Sequence, residues 1–510
     1  MIRLLSAVLL VAGPAMAEVR FIDRSAGLPV SHAYSGGWEH FVGGGVAIFD
    51  CNGDDLGDLY VAGGTEPARL FVNATAGPGA PIRFDLGDLA PLDGVTGAYP
   101  LDIDGDDILD LAVLRVGANV LLKGQGDCTF TDATALWGME GGTAWTTAFA
   151  ATWEGDNTRP TLAFGNYVDR GDPNGPFGTC DANTLLRPEG AIYGPPIPLT
   201  PGHCTLSMLI SDWARTGRRD LRISNDRHYY VRDGSEQMVR LDTLRPLTEA
   251  EGWPRLMLWG MGIASRDITG DGLPEVMLTS MGDQLLQFAR PGGVYENAPY
   301  SFGSYVQRPF DGDDGRPSTG WHAEFGDVNN DGLADLFVAK GNVDQMPGMA
   351  DKDPNNLLIR SPDGPYVDQG LAAGVASPAR SRGAGLYDLN LDGRLDLVVV
   401  NRRAPLEVRE NVTEGSGNWL LLDIRAPAPN TRAVGAWIEI RLPGGQVEHR
   451  EITVGGGHAG GQAGLQHFGL GAASSVGIRV AGGADWLTLP ANTRGKLLLS
   501  DRGLAFTPAD

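Results

Sequence analysis

The chemistry in this sequence lies in short acidic loops. Residues 327–341, DVNNDGLADLFVAKG, place oxygen-bearing side chains at loop positions 1, 3, 5 and 9, with a glycine at position 6. A hard cation such as Ca²⁺ takes roughly six to eight oxygen ligands at about 2.3–2.6 Å. Four side chains and the backbone carbonyl of position 7 would supply part of that set. The spacing therefore indicates a calcium loop.

Four other stretches share this spacing, so the sequence predicts about five bound Ca²⁺ ions. A single loop could be a solvated Asp/Gly turn, but five loops with the same spacing favour metal binding. The predicted ligands, with position 7 contributing its carbonyl, are Asp50, Asn52, Asp54, Leu56 and Asp58; Asp102, Asp104, Asp106, Ile108 and Asp110; Asp267, Thr269, Asp271, Leu273 and Glu275; Asp327, Asn329, Asp331, Leu333 and Asp335; and Asp388, Asn390, Asp392, Arg394 and Asp396.

Strand-like runs flank every acidic loop. Runs such as GGGVAIF and TGAYPL precede the loops, and LYVAG, LAVL, VMLTS, LFVAK and LVVVN follow them. An EF-hand would instead carry a helix on each side and a Glu at position 12. The repeated unit is therefore a strand, a calcium loop and a second strand.

Two degenerate copies fill the long interval between the second and third loops. One has Trp153 at its first position; the other keeps Asp212 and Asp220 but has Ala214 at position 3 and three nearby arginines. We expect no calcium in either copy. The seven units start at 50, 102, 153, 212, 267, 327 and 388, at intervals of 51 to 61 residues. A repeat of this length has room for four short strands and predicts an all-β, seven-bladed β-propeller.

Composition and hydropathy indicate the cellular location of the protein and the partners that it can bind. Residues 1–17 read as a secretory signal peptide that ends in small residues, and no later apolar run is long enough to span a membrane. We therefore expect an extracytoplasmic protein, periplasmic or secreted. The net charge of −23 excludes a nucleic-acid-binding face. We predict a propeller at 18–412 with a Pro/Gly-rich insert at 169–204, and a small β domain at 413–510.

The chain has four cysteines, an even number that favours disulfides in an exported protein. Cys180 and Cys204 flank the Pro/Gly-rich insert, so we pair them and pair Cys51 with Cys128. The alternative is that Cys51 is a free thiol. The insert itself could be a partner-binding loop or a cover for the metal-free blades.

The repeats resemble the FG-GAP repeats of integrin-α-type seven-bladed propellers. The stretches FIDRSAGLPVSHAYSG and GGGVAIFDCNGDDLGDLYVAGG, and NYVD before a Cys-bearing insert, resemble the cartilage acidic protein family. NWLLLDIRAP, NTRAVGAWIEIRLPGG and VGGGHAGGQAGLQHFGLG resemble the ASPIC/UnbV domain of that family, although VAGGADWLTLP departs from its Trp-Pro-x-Gly turn. We expect a bacterial-type member without the EGF-like module of animal members. The resemblance implies a secreted calcium-binding adhesion or ligand protein without general enzymatic activity.

A second candidate site follows from the predicted topology. The strand before each calcium loop lines the propeller axis, so the segments that enter these strands meet at the opposite mouth. They carry Trp38, His40, Trp145, Trp259, Trp321, His322 and Arg382. Aromatic and polar side chains at a concave mouth are typical of a ligand site. The alternative is that each Trp packs between blades. In the glycine-rich segment near the C-terminus, we expect His467 to pack rather than to bind phosphate.

Two classes of function remain open. The first is a calcium-stabilised module that binds a protein or a glycan. The second is an extracytoplasmic metal-assisted hydrolase or lyase with its site at the mouth, where His40 or His322 could hold a transition metal. No G-x-S-x-G or H-E-x-x-H motif is present, so we expect no catalytic residue of those types. The sequence leaves the oligomeric state open.

Overall fold

The structure is a computed structural model that describes residues 18–172, 179–226, 234–305, 316–344, 346–500 and 503–509. The predicted signal peptide at 1–17 and part of the insert, 173–178, lie outside these residues. The prediction of an all-β fold is confirmed: the described chain is built of strands, with one four-residue α-helix, Gly370–Ala373. No helix in the described ranges is long and apolar enough to cross a membrane.

Seven four-stranded antiparallel sheets, which we call blades 1 to 7, precede the C-terminal domain in the described chain. Blade 1 consists of Val46–Phe49, Asp58–Val61, Arg69–Asn73 and Phe84–Leu86. Blade 2 consists of Val95–Leu101, Asp110–Arg115, Val120–Gly124 and Phe130–Asp132. Blade 3 consists of Thr146–Thr152, Thr161–Asn166, Asn183–Leu186 and Ile197–Leu199. Blade 4 consists of Thr205–Ser211, Asp220–Asn225, Gln237–Arg240 and Arg245–Pro246.

The last three blades follow the same plan. Blade 5 consists of Gly260–Arg266, Glu275–Ser280, Leu285–Arg290 and Val294–Asn297. Blade 6 consists of Gly320–Gly326, Asp335–Lys340, Asn356–Arg360 and Tyr366–Asp368. Blade 7 consists of Arg380–Tyr387, Asp396–Arg402, Glu407–Asn411 and the N-terminal strand Phe21–Asp23. Short 3₁₀ turns lie at Ser25–Gly27, Trp38–His40, Glu249–Glu251 and Tyr300–Phe302.

The blades form a closed ring. The first strand of each blade contacts the first strand of the next, and Arg380–Tyr387 of blade 7 contacts Val46–Phe49 of blade 1. The N-terminal strand completes blade 7, because Phe21 pairs with Asn411 in antiparallel register. Closure of this kind leaves only short edges exposed. The chain enters each innermost strand at one end of the ring, which we call the mouth end, and leaves it at the loop end.

The C-terminal domain packs two four-stranded sheets against each other. One sheet consists of Leu465–Gly471, Asn418–Arg425, Thr493–Ser500 and Gly503–Pro508. The other consists of Val447–Glu451, Trp437–Arg441, Ser475–Val480 and Leu487–Pro490. Alternating residues such as Leu420, Leu422, Ile438 and Ile478 point inward and form its core.

The insert forms more regular structure than its composition predicts. It supplies the two outer strands of blade 3 and a small hairpin, Pro188–Glu189 with Ile192–Tyr193. The composition of the insert does not indicate these strands, because they are too short to stand out among the prolines and glycines. Both predicted disulfides are confirmed, Cys51–Cys128 and Cys180–Cys204.

Candidate functional site

The five acidic loops share one backbone geometry. The carboxylate of position 1 accepts a hydrogen bond from the backbone N–H of position 6, and the carboxylate of position 5 accepts one from position 7. In the loop that starts at Asp327, these bonds run from Gly332 at 2.7 Å and from Leu333 to Asp331 at 2.8 Å. The same pairs recur in the loops at Asp50, Asp102, Asp267 and Asp388. Each loop is thereby held in a tight turn with its acids directed inward.

The acid at position 9 anchors each loop to its blade. Asp58 accepts the N–H of Cys51 at 2.8 Å and the N–H of Asn73, in the third strand, at 2.7 Å. The bond from position 2 recurs in all five loops. All five position-9 side chains are buried: Asp58, Asp110, Glu275, Asp335 and Asp396. Their placement explains why the acid is the first residue of the second strand.

These carboxylates carry more negative charge than their surroundings compensate. Burial raises the pKa of Asp58 and Glu275 to about 7 and that of Asp110 to about 8. In the second loop, carboxylate oxygens of Asp102, Asp104 and Asp106 lie within 4.8 Å of one another. A bound divalent cation would hold such groups ionised, and carboxylate and carbonyl oxygens are the donors that calcium prefers. The residues present therefore fit Ca²⁺.

Two of the five loops already contain a basic side chain. The Lys123 ammonium contacts both Asp104 and Asp106, the second at 2.6 Å. In the last loop, the side chain of Arg394 pairs with Asp392. These groups would compete with a metal ion for the same carboxylates.

The degenerate copies in blades 3 and 4 replace the acid cluster with guanidinium groups. Asp220, the position-9 acid of blade 4, pairs with Arg240 and accepts the indole N–H of Trp213 at 3.0 Å. In blade 3, Arg219 donates to the carbonyl of Trp153 at 3.0 Å. A guanidinium group thus balances the position-9 acid of blade 4, whereas blade 3 has Trp153 and Thr161 at positions 1 and 9 and no acid to balance there.

The C-terminal domain covers the loop end through position 6 of several loops. Arg425 pairs with Asp107, and Arg494 lies 3.6 Å from Asp55. At position 6 of the last loop, Gly393 lies against the indole of Trp419, and a Cβ there would come 2.1 Å from the ring. The residue at position 6, which is an aspartate in two of these loops and a glycine in the third, therefore contacts the C-terminal domain.

A glycine-rich segment of the C-terminal domain, residues 453–464, enters the axial channel, and we call it the plug. It forms isolated β-bridges to innermost strands of five blades, from blade 1 to blade 5: Ile48 with Gln462, Ala98 with Gly460, Ala151 with Val454, Leu209 with Gly455, and Ile263 with Gly457. The carbonyl of Ala459 fills the space beside Gly97, where a Cβ would lie 1.7 Å away. Small residues are needed on both sides of this contact.

The plug turns back near the mouth end, at His458. Its ring lies against Trp321, with ring centroids 5.0 Å apart. Nε2 accepts the N–H of Gly43 at 3.2 Å, and Nδ1 donates to the carbonyl of Met261 at 3.0 Å. Burial lowers the pKa of His458 to about 3, so the ring is neutral at physiological pH. A neutral imidazole suits this pattern of one acceptor and one donor.

The predicted mouth residues do converge, but most of them are buried by the chain itself. His40, Trp145, Trp321, His322 and Arg382 are buried, whereas Trp38 and Trp259 remain partly exposed. The Arg382 guanidinium stacks on Trp321 at 3.9 Å. His322 accepts the backbone N–H of His458 through Nδ1 at 3.1 Å. Trp321 and His322 therefore contact the plug rather than solvent, which corrects the prediction that they form an exposed contact surface.

Comparisons with known proteins match two parts of the chain. Residues 267–338 match a family model described as an FG-GAP-like repeat, and residues 426–481 match one described as ASPIC and UnbV. The chain therefore carries an FG-GAP-like repeat and an ASPIC and UnbV segment. No curated protein matches it.

Several solved structures are similar to the chain, all at low identity. One is BBS1N in complex with ARL6DN, with 12% identity and a TM-score of 0.44, covering 76% of this chain and 96% of that chain. Another is the BP39L lectin from Burkholderia pseudomallei, with 13% identity and a TM-score of 0.45, covering 73% and 97%. A third is the Dos1 propeller, with 9% identity and a TM-score of 0.36, covering 74% and 95%.

The ASPIC and UnbV segment includes the plug, which sequence reasoning missed. In the run GGGHAGGQAG, only the small residues could have indicated a narrow channel. Sequence reasoning also missed a group of arginines at the mouth end of blade 7. The signal was available in ARSRGAG and VNRRAP, which occupy neighbouring strands of one blade.

Proposed function

We propose that this chain is an exported calcium-binding β-propeller that acts as a binding or adhesion module for a protein or a glycan. The observation that carries the proposal is the recurrence of one carboxylate geometry in five blades, with a buried acid at position 9 in all five and at position 1 in four. Of the remaining two blades, blade 4 balances its position-9 acid, Asp220, with Arg240, and blade 3 carries Trp153 and Thr161 in place of the two acids. Calcium would therefore stabilise the ring, while its ends present surfaces to partners.

A binding role at the mouth end is supported by the exposure of side chains there. Trp38 and Trp259 are partly exposed, and Met257 is 42% exposed. Aromatic side chains and methionine are enriched in interfaces. The resemblance to the cartilage acidic protein family points in the same direction. No observation favours the enzymatic alternative, because His322 is engaged by the plug and the candidate metal clusters of the described residues contain no histidine.

The two disulfides support an oxidising compartment. Such bonds persist in exported proteins and are rare where cellular thiols keep cysteines reduced. Together with the N-terminal stretch interpreted as a signal peptide, they support export to the periplasm or the medium. Denaturing thiol titration of the purified protein should find no reactive thiol.

Calcium removal tests the first half of the proposal. When the free calcium concentration is 100 times the Kd of a site, binding at that site adds about 2.7 kcal/mol to the free energy of unfolding. Excess chelator should therefore lower the melting temperature substantially, and elemental analysis should find about five calcium ions per chain. Asp331→Asn should reduce that number by one, while Asp85→Asn on the exposed outer strand of blade 1 should leave it unchanged. A melting curve that ignores chelator would refute calcium binding.

Ligand screening tests the second half. The calcium-loaded protein should bind a defined subset of a glycan array or of purified extracellular matrix proteins, and chelator should weaken that binding by unfolding the loop end. A folded, calcium-loaded protein that binds nothing on either panel would contradict the binding role.

A further inference from the structure

The C-terminal domain is not needed to close the propeller ring. The N-terminal strand Phe21–Asp23 closes the ring by pairing with Glu407–Asn411 of blade 7, which precedes the C-terminal domain in the chain. The domain also has a hydrophobic core of its own, which includes Leu422 and Ile478. Domains of this kind move relative to each other unless their interface is large and hydrophobic. The contacts between the domain and the ring therefore decide how firmly the domain is docked.

Backbone carbonyls of one acidic loop bind the domain directly. In the loop of blade 6, the carbonyl of Asn329 accepts the N–H of Gly417 at 3.0 Å, and the carbonyl of Asn330 accepts the N–H of Gly471 at 2.9 Å. The side chain of Asn329, at position 3, donates to the carboxylate of Asp331 at 3.0 Å. The same residue thus belongs to the predicted cation site through its side chain and to the domain interface through its backbone.

The loops of blades 2 and 7 contact the domain in a similar way. The Thr431 hydroxyl donates to the carboxylate of Asp102, at position 1 of the loop of blade 2. The imidazole Nε2 of His467 lies 3.1 Å from the carbonyl oxygen of Gly393, at position 6 of the loop of blade 7. The docked position of the domain therefore depends on the shape of three acidic loops at once.

The fit between the domain and the loop of blade 6 is close. A Cβ on Gly417 would lie 1.9 Å from the carbonyl oxygen of Asn330, and a Cβ on Gly469 would lie 1.8 Å from the carboxylate of Asp327. The carboxylates within each loop repel one another, because like charges at short range are unfavourable. A bound cation would remove this repulsion and hold the loop in its tight turn. Without the cation, the loop would open, and the carbonyls that bind the domain would move with it.

The plug must follow any movement of the domain, because residues 453–464 lie between two strands of that domain. Within the channel, backbone N–H groups of the plug donate to the ring. Gly456 donates to the carbonyl of Met208 at 2.6 Å, and Gly457 donates to the carbonyl of Ile263 at 2.7 Å. These amides would lose their partners if the domain moved away from the loop end and drew the plug with it. Their hydrogen exchange therefore reports whether the plug fills the channel.

We propose that calcium controls the docking of the C-terminal domain, so that loss of the ions undocks the domain and withdraws the plug from the axial channel. This inference rests on the proposed calcium binding. Two binding equilibria that are linked in this way strengthen each other by the same factor. Calcium therefore strengthens docking, and docking strengthens calcium binding at the loops that the domain contacts. The C-terminal domain then acts as a calcium-dependent closure of the channel.

Hydrogen exchange of the purified chain, followed by mass spectrometry below the melting temperature, tests the release. Excess chelator should speed exchange in the plug at least about tenfold, because its amides lose their partners in the ring. The strand Asp220–Asn225 of blade 4, whose loop has no predicted calcium, should exchange at an unchanged rate. Asp331→Asn should speed exchange in the plug even when calcium is present, whereas Asp85→Asn should not.

Gly417→Ala tests the linkage from the other side. Its Cβ would force the domain away from Asn330, which is not a predicted ligand, and every predicted ligand would remain. Elemental analysis at saturating calcium should therefore find as many ions as in wild type, whereas calorimetry should find one site with several-fold lower affinity. Gly444→Ala, in the same domain, should match wild type, because its Cβ would meet no atom within 4 Å.

Calcium affinities in Gly417→Ala that equal those of wild type would overturn the inference. Plug amides that stay protected in chelator, or that exchange only together with blade 4, would also overturn it. If calcium binds and the plug does not respond to it, the calcium-binding proposal stands while this inference fails. If elemental analysis finds no calcium, both fail.

Discussion

The two ends of the propeller use the same strands to hold opposite charges. At the loop end, carboxylates such as Asp327 and Asp335 accept backbone N–H groups. At the mouth end of blade 7, Arg382 and Arg402 donate to backbone carbonyls. In both places the backbone orients charged groups without neutralising them, so each end keeps an unbalanced charge. An unbalanced buried charge is costly unless a partner supplies the opposite sign, which supports the proposed cation at the loop end.

Blade 4 provides the exception that tests this reasoning, because it holds a guanidinium at the loop end. Arg240→Met would leave the Asp220 side chain, which is 1% exposed, without its closest cation. Removing one partner of a buried ion pair costs about 3–5 kcal/mol. Chemical denaturation should show this loss equally with calcium and with chelator. The loss in Asp331→Asn should instead appear only when calcium is present.

Arg290→Met is the matched control for Arg240→Met. Its pair with Glu296 is exposed on the outer part of blade 5, and exposed pairs contribute about 0–1 kcal/mol. If Arg240→Met costs no more than Arg290→Met, then the acid of blade 4 needs no counter-charge. The contrast between acidic and arginine-containing blades would then lose its physical basis.

The plug runs along the channel between the two ends, and Gly97→Ala tests how closely it packs against the innermost strands. The added Cβ would meet the Ala459 carbonyl oxygen at 1.7 Å, and a backbone atom cannot rotate away. Overpacking of this kind typically costs about 1–3 kcal/mol. Melting temperature should fall, and limited proteolysis should cut within residues 453–464. Gly444→Ala is the control, because its Cβ would meet no atom within 4 Å. Unchanged stability and protease resistance would mean that the plug does not fill the channel in solution.

The acidic loops could be predicted from sequence, whereas the plug and the arginine cluster could not, for a physical reason. Each loop places its side-chain ligands within nine residues, so spacing alone conveys the geometry. The plug depends on contacts between partners far apart in the chain, such as Ile48 with Gln462. Its residues are small and carry no pattern that names a partner. The opposition of Arg380 and Arg402 likewise depends on strand register, which shifts between Ser381 and Ala384.

The burial of the mouth residues also depends on contacts with distant parts of the chain, so it could not be predicted from sequence. Tryptophans at the start of innermost strands fit a ligand surface and a packed core equally well. The outcome depended on the plug, which places His458 against Trp321 and His322. The insert shows the converse, since its short strands were hidden by Pro and Gly, yet the disulfide that closes it could be assigned from the two flanking cysteines.

The lowered pKa of His458 predicts that part of the pH dependence of stability arises at the mouth end. Its pKa is lowered to about 3 in the folded chain, from an ordinary value of 6.5. The unfolded chain therefore binds a proton below pH 6.5 that the folded chain excludes, and stability falls as pH falls through that window. The loss is about 1.4 kcal/mol per pH unit. Because His467 shifts in the same direction, the comparison must be made with His458→Gln.

The quantity to follow is the difference in unfolding free energy between wild type and His458→Gln. Wild type should be more stable at pH 7.5, where the neutral ring makes both hydrogen bonds. The difference should shrink by about 2 kcal/mol between pH 6.5 and pH 5. Parallel stability curves over that range would show that His458 is solvated rather than held in the plug.

The smallest expected effect concerns the loop that carries its own cation. In the second loop, Lys123 contacts the carboxylates of Asp104 and Asp106, so the proposed calcium ion would have to displace it. Lys123→Met should raise calcium affinity at this loop, but only a few-fold, because Lys123 and Asp106 are 24% and 37% exposed and such pairs contribute less than about 1 kcal/mol. Calorimetric titration should show no such gain in Lys352→Met, which alters an exposed lysine elsewhere. An equal gain in Lys352→Met would mean that Lys123 acts through overall charge, and the second loop would then belong with the three that hold no internal cation.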